Sequence, residues 1–92
     1  MVKRVTLMER LDSAAATPLR NELASAEGDD LVLVGTPVEF LGGLCLELLM
    51  CARHVWSAAG KTLTIEDASE AFCDNLSRFG LQVGDLSTGG DR

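Results

Sequence analysis

Cys51 and His54 stand three residues apart and bring a thiol close to an imidazole. A cysteine beside a base can act as a nucleophile once the base holds it as thiolate. On a helix, however, these two positions fall on adjacent faces, and the pattern alone does not aim one at the other. His54 is the single histidine of the chain, so no histidine cluster for a metal forms. Cys45, Cys51 and Cys73 match neither zinc nor redox spacing, and three thiols make no disulfide framework. The simpler reading places all three as small core residues on helices and His54 at the surface. Asp12 could serve as an acid, but capping the first helix explains it more directly. No catalytic residue, metal or cofactor is expected, and a small thiol enzyme or ligand-binding protein is the least supported reading.

A second kind of chemistry, contact with another protein, is better supported. The run Val38-Glu39-Phe40-Leu41-Gly42-Gly43-Leu44 leads from an extended piece through two glycines into an apolar helix. From Gly43 on, the least hydrophobic positions are Gly43, Glu47, Met50, His54, Ser57 and Lys61. Their alternating steps of four and three trace one narrow helical stripe. A helix with so thin a wet face is expected to be buried on most sides, with its first turn at the surface. Gly42 and Gly43 either let a partner approach bare backbone or serve a tight turn needing positive φ. Leu44 offers an apolar contact, Glu47 a charged rim, and Met50 an adaptable side chain. The free amides of such a helix start suit an anion, but no glycine-rich phosphate loop with a lysine precedes it.

The elements that must position this turn follow from periodicity. Val5 and Leu7 alternate with Thr6 and Met8 in a strand over residues 2–8. Asp12-Ser13 offers capping chemistry, and Leu19, Leu23 and Ala26 keep helical spacing to Gly28. Pro18 either opens that helix or falls within its first turns. Leu31-Val32-Leu33-Val34 reads as a central strand covered on both faces. The long helix runs from Gly43 to Ala59 and Gly60 closes it. Trp56 is core or half-buried. Leu63 and Ile65 mark a third strand, and Asp67 with Glu70 forms a capping box for a helix whose face is Phe72, Leu76 and Phe79. The order is β-α-β-α-β-α, an α/β domain whose crossovers imply parallel strands and helices packed on the sheet. One domain spans residues 1–82, and residues 83–92, rich in Gly, Ser and Thr, form a flexible tail.

Composition removes several alternatives. Ninety-two residues make one domain. The net charge of −6 and only four aromatic residues argue against phosphate backbones and base stacking, hence against nucleic acid. No run of about 20 apolar residues occurs, so no membrane insertion is expected. Glu9, Arg10 and Asp12 interrupt any secretory core, and the thiols fit a cytoplasmic setting.

With the motifs in place, the chain resembles the STAS domains (sulfate transporter and anti-sigma-factor antagonist). The stretch Glu9-Arg10-Leu11-Asp12-Ser13-Ala14-Ala15-Ala16 with Leu19 and Leu23 is similar to that family's opening "G-x-L-D-x-x-x-A-x-x-L". Leu31–Val34 and Val38–Leu41 resemble its central strand and following segment. Leu46, Leu48 and Leu49 resemble its second helix, and Phe79-Gly80-Leu81 its late "x-G-L". The likeness runs from about Val5 to Leu81 and is that of small stand-alone bacterial members from chemotaxis or lipid-transport clusters. It implies a small mixed or parallel sheet and a non-enzymatic interaction module in bacterial signalling. The implied partner is an anti-sigma factor or a histidine-kinase-type ATPase, including a chemotaxis kinase. The alternative is a cytoplasmic STAS subunit of a phospholipid ABC transporter, partnered by its ATPase or permease. Implied contact residues are Gly42, Gly43, Leu44, Glu47 and Met50.

One departure matters. Regulatory members carry a phosphorylatable Ser or Thr in an Asp-Ser-Ser-Gly-Leu type motif at this helix start. Here the window reads Gly42-Gly43-Leu44-Cys45-Leu46, which puts Leu44, or by a one-residue slip Gly43, at the phosphoacceptor place. Neither has a hydroxyl. Incubation with a kinase of that type and ATP is therefore expected to leave residues 42–45 unphosphorylated by mass spectrometry. Stable phosphate on Thr36, Ser57 or Thr62 would move the switch elsewhere.

Overall fold

The computed structural model describes residues 2–88. Strand β1 (Val2–Thr6) leads to a two-residue strand β2 (Arg10–Leu11), a 3-10 turn at Ser13–Ala15 and helix α1 (Ala16–Ser25). Strand β3 (Asp30–Val34), the short β4 (Phe40–Leu41) and helix α2 (Gly43–Ala58) follow. Strand β5 (Leu63–Glu66), helix α3 (Glu70–Arg78) and a second 3-10 turn at Val83–Leu86 complete the described chain. The result is a mixed α/β protein with a parallel sheet and three helices. The main sheet has order β1-β3-β5, and β2 pairs separately with β4; all three pairings are parallel.

Register explains which side is covered. Lys3, Leu31 and Leu63 are aligned, as are Val5, Leu33 and Ile65. Leu31, Leu33 and Leu63 join one buried cluster with Leu19 and Leu23 of α1, Leu49 and Trp56 of α2, and Phe72 and Leu76 of α3. The alternate rows, Arg4-Val32-Thr64 and Thr6-Val34-Glu66, point the other way. Val32 and Val34 are half-buried and stand outside that cluster. The expectation of a central strand covered on both faces is thus corrected, because the helices bury their apolar stripes against one face of the sheet. On the other face Arg4 donates to Glu66 at 2.6 Å across the sheet, which holds the guanidinium charged.

Local chemistry sets the element ends. The Asp12 carboxylate accepts from the Ala15 amide at 3.3 Å and so caps the 3-10 turn that leads into α1. Pro18 falls inside the opening turn of α1, where a missing N–H costs little. Gly60, at φ +73, follows α2 in the left-handed region that a side chain resists. At the start of α3 the cap is Ser69, not Asp67: its hydroxyl accepts from the Phe72 amide at 3.0 Å and donates to the Val38 carbonyl at 2.5 Å. The Ser69 amide in turn donates to the Gly35 carbonyl, which fixes the helix start two residues later than expected. Phe79 is also corrected: it lies past the end of α3 and is 47% exposed, while Phe72 and Leu76 form the buried face.

Residues 83–88 correct the expected tail. Leu86 is fully buried, the Thr88 amide donates to the Leu63 carbonyl, and the Leu63 amide donates to the Thr88 hydroxyl. The segment is thereby fastened along β5, with Val83 and Leu86 as its apolar anchors. Residues 89–92 of that expected tail lie outside the described residues. Beside it, at the start of β5, the Asp30 carboxylate accepts from the Thr62 amide at 2.9 Å, which lowers its pKa. That bond is fully present above the ordinary carboxylate range and fades as pH falls through the folded-state value.

Ser69 joins β4's approach to α3 through two bonds. Ser69→Ala is expected to lower unfolding free energy by about 1–2 kcal/mol in chemical denaturation. An unchanged midpoint would show that neither bond contributes to stability.

Candidate functional site

The β2–β4 pair and the first turn of α2 build one surface. Arg10 aligns with Phe40 and Leu11 with Leu41. Leu11 and Leu41 point inward and are buried, so Arg10 and Phe40 point outward. The Arg10 guanidinium lies 5.0 Å from the Phe40 ring centre, a cation–π distance, and its Nε is 3.7 Å from Asp12. The Gly42 amide donates to the Leu11 carbonyl at 2.9 Å, and the Gly42 carbonyl accepts the first helical bond from Leu46. Helix α2 therefore starts directly from the small β-pair.

The two glycines have different reasons. Gly42 is extended, at φ −93° and ψ 169°, so it needs no left-handed backbone. A Cβ there would meet the Phe40 ring at 3.3 Å and the Leu11 carbonyl at 3.4 Å, so a side chain at Gly42 would press on the ring. Gly43 is the first helical residue, and a Cβ there would meet nothing within 4 Å. The tight-turn reading with positive φ holds for neither. Gly43 is instead a bare, exposed piece of backbone at a helix start that lacks a side-chain cap.

Around it the expected contact residues all face outward. Leu44 is 50% and Met50 43% exposed, and Glu47 lies on the helix surface between them. His54, Ser57 and Lys61 continue the exposed stripe. The stripe was expected to be narrow, and here the structure differs. Leu44, Cys51 and Val55 form a second outward row beside it, while Cys45, Leu46, Leu49, Ala52 and Trp56 face the core. A helix lying on a one-sided layer buries about half its circumference, so apolar composition overstated the burial. Phe40, 36% exposed, and Arg10 were missed as site residues. Arg10 stands opposite Phe40 only because a two-residue strand pairs there, and such a strand leaves no periodicity to read.

The cysteines divide. Cys45 is fully buried, its thiol directed at the Asp12 carbonyl at 3.3 Å. Burial and, secondarily, the Asp12 carboxylate push that thiol's pKa up, which keeps it protonated and unsuited to nucleophilic attack. Cys51 and Cys73 are exposed, against the expectation that all three pack inside. Trp56 is buried and its indole donates to the Asp29 carbonyl at 2.7 Å. No group of three or more His, Cys, Asp or Glu suited to a metal occurs among the described residues. Among the same residues no helix is long and apolar enough to cross a membrane.

Comparison with protein-family models, with curated proteins and with solved structures finds no match for this chain. The likeness to STAS domains rests on the residue pattern itself.

The burial pattern sets an order of thiol reactivity. A thiol reagent is expected to modify Cys51 and Cys73 rapidly in the native protein and Cys45 only upon unfolding. Peptide mapping that finds Cys45 modified as fast as the other two would mean that the α2 start opens readily in the native state.

Proposed function

We propose that this protein is a non-enzymatic interaction module of the STAS type in bacterial signalling, docking on a protein partner through the start of α2. The observation that carries this reading is the outward turn Gly42–Leu44. Bare backbone and an exposed leucine stand at a helix N-terminus, flanked by Phe40 with Arg10 on one side and by Glu47 and Met50 on the other. Exposed Leu, Phe, Met and Arg together have the composition of a contact surface, since aromatic, Met and Arg side chains are enriched in interfaces. The alternation of main-sheet strands and helices, β1-α1-β3-α2-β5-α3, is the order the resemblance implies and supports it. The partner implied is an anti-sigma factor or a histidine-kinase-type ATPase. Because residues 42–45 offer no hydroxyl, binding is constitutive or is controlled by the partner.

The site also explains how docking can avoid a folding cost. Gly43 already has helical backbone and open space, so a partner meets a preformed turn rather than ordering one. Phe40 is held by the arginine over its ring, which limits the rotamer entropy lost on binding.

Gly43→Glu separates fold from contact. A glutamate at the first helical position has room, suits the helix dipole and relieves a glycine of its unfolded-state entropy. Thermal unfolding is expected to change by no more than about 1 kcal/mol in either direction. Affinity capture with the wild-type protein is expected to recover an anti-sigma or kinase-type ATPase that the variant loses, because an unpaired charge buried in an interface costs several kcal/mol. Capture of an ABC transporter ATPase would favour the lipid-transport reading. Equal capture by both forms would remove this turn from the interface.

A further inference from the structure

Strand β1 stands at one edge of the main sheet, with β3 as its neighbour there. The Leu7 amide donates to the Val34 carbonyl, so the extended pairing with β3 runs on to Leu7. In such a ladder the backbone groups of alternate residues turn to the same side. Lys3, Val5 and Leu7 therefore address β3, and the amides and carbonyls of Arg4 and Thr6 point away from the sheet. No described residue bonds to these outward groups. The side chains leave the edge open as well: Val2, Lys3, Arg4 and Thr6 are exposed, and Val5 is half-buried against the core. An edge of this kind is a template for a further strand.

We propose that the further strand is β1 of a second copy, antiparallel about a two-fold axis at Val5. On each side of the axis this register sets Arg4 opposite Thr6 of the other copy, and each such pair exchanges two backbone bonds. The outward groups of Arg4 and Thr6 are thereby all satisfied. Val5 meets its own copy in a closely spaced pair on the helix side of the sheet, which covers what the core leaves open of it. Charge decides the register. An axis at Lys3 or at Arg4 sets like charges directly opposite, which destabilises a strand pair. An axis at Thr6 leaves Arg4 opposite Met8, past the extended stretch. About Val5 the overlap spans residues 3–7, and Lys3 stands level with Leu7 of the other copy, two residues before the exposed Glu9. The basic start of each strand thus lies by the acidic end of the other, a complementarity that a second copy of this strand has with itself. Glu66 draws the Arg4 guanidinium back over its own sheet and keeps it off the seam. The axis is normal to the sheet, so two three-stranded sheets join into one with both helix layers on the same side. The inference does not rest on the docking reading and uses none of its residues.

The test is sedimentation equilibrium of the purified protein in reducing buffer at about 0.15 M salt, which screens the net charge of −6. The wild type is expected to move toward twice the monomer mass as its concentration rises to about 1 mM. Thr6→Pro removes an amide that the monomer leaves unbonded. It is expected to keep the circular dichroism spectrum and to weaken association roughly tenfold or more. A cross-link reads the register. In a background of Cys51→Ser and Cys73→Ser, Val5→Cys is expected to form a disulfide dimer on mild oxidation, since the Cα atoms of such a pair lie about 4.5 Å apart. Arg4→Cys, whose two copies stand diagonally, is expected to cross-link several-fold more slowly. A wild type still monomeric at the highest concentration overturns the proposal, as does a dimer indifferent to Thr6→Pro. Faster cross-linking through Arg4→Cys than through Val5→Cys overturns it too. If the proline disturbs the fold, the cross-link decides alone.

Discussion

Much of this fold hangs on the backbone of one residue, Gly35, at the end of the central strand. Its amide donates to the Glu66 carbonyl and so closes the β3–β5 ladder. Its carbonyl accepts from Val38, which turns the chain toward β4, and from Ser69, which starts α3. A Cβ there would lie 2.9 Å from the Phe72 ring and 3.2 Å from the Ala68 backbone, so the absent side chain is filled by the largest fully buried residue. Ladder, turn, helix start and core thus depend on one position having no side chain. The Ala68 backbone cannot retreat as a flexible side-chain end could, so even alanine there must displace α3 or distort β3.

The strand order has a second consequence. Order β1-β3-β5 takes both crossovers in one direction across the sheet, and crossovers of one hand then bring their helices to one face. That face has the whole core. The opposite face is left to Val2, Asp30, Val32, Val34, two threonines and the Arg4–Glu66 pair, and the helices are left with outer surfaces that none of the described residues covers. Exposed Leu44, Met50 and Val55 are therefore products of topology. They exist because a two-layer protein of this size has no third layer to place over α2.

How far the sequence discloses this structure depends on what each residue's type encodes. Both ends of α2 are legible, because Gly42-Gly43 and Gly60 punctuate a strong apolar run. The strip Gly43, Glu47, Met50, His54, Ser57, Lys61 is outward as the period requires. Burial of Cys51, Cys73, Val32 and Val34 is not legible, since apolar type states a preference and the number of layers decides whether it is met. Phe79 resembles Phe72 in the period, yet one is exposed and the other buried because α3 ends between them. The stretch Val83–Thr88 reads as a loose tail by its Gly, Ser and Thr, while Leu86 and Val83 anchor it. Of the candidate site, the α2 turn was readable and the Arg10–Phe40 stack was not: it forms between strands too short to leave a pattern.

The fastening of residues 83–88 makes a short irregular segment part of the core. Leu86 fills the core from outside the three-helix frame, Thr88 clips β5 at both groups of Leu63, and the Arg53 side chain reaches the Ser87 carbonyl. The described α-helices and strands all lie before this segment, yet without it the core beside β5 lacks Leu86. Undocking of this segment would expose an unpaired strand edge, the kind of surface that chaperones bind and that sticks to its neighbours. The core beside β5 is closed only when residues 83–88 dock, so this short segment completes a frame that the helices and strands alone leave open.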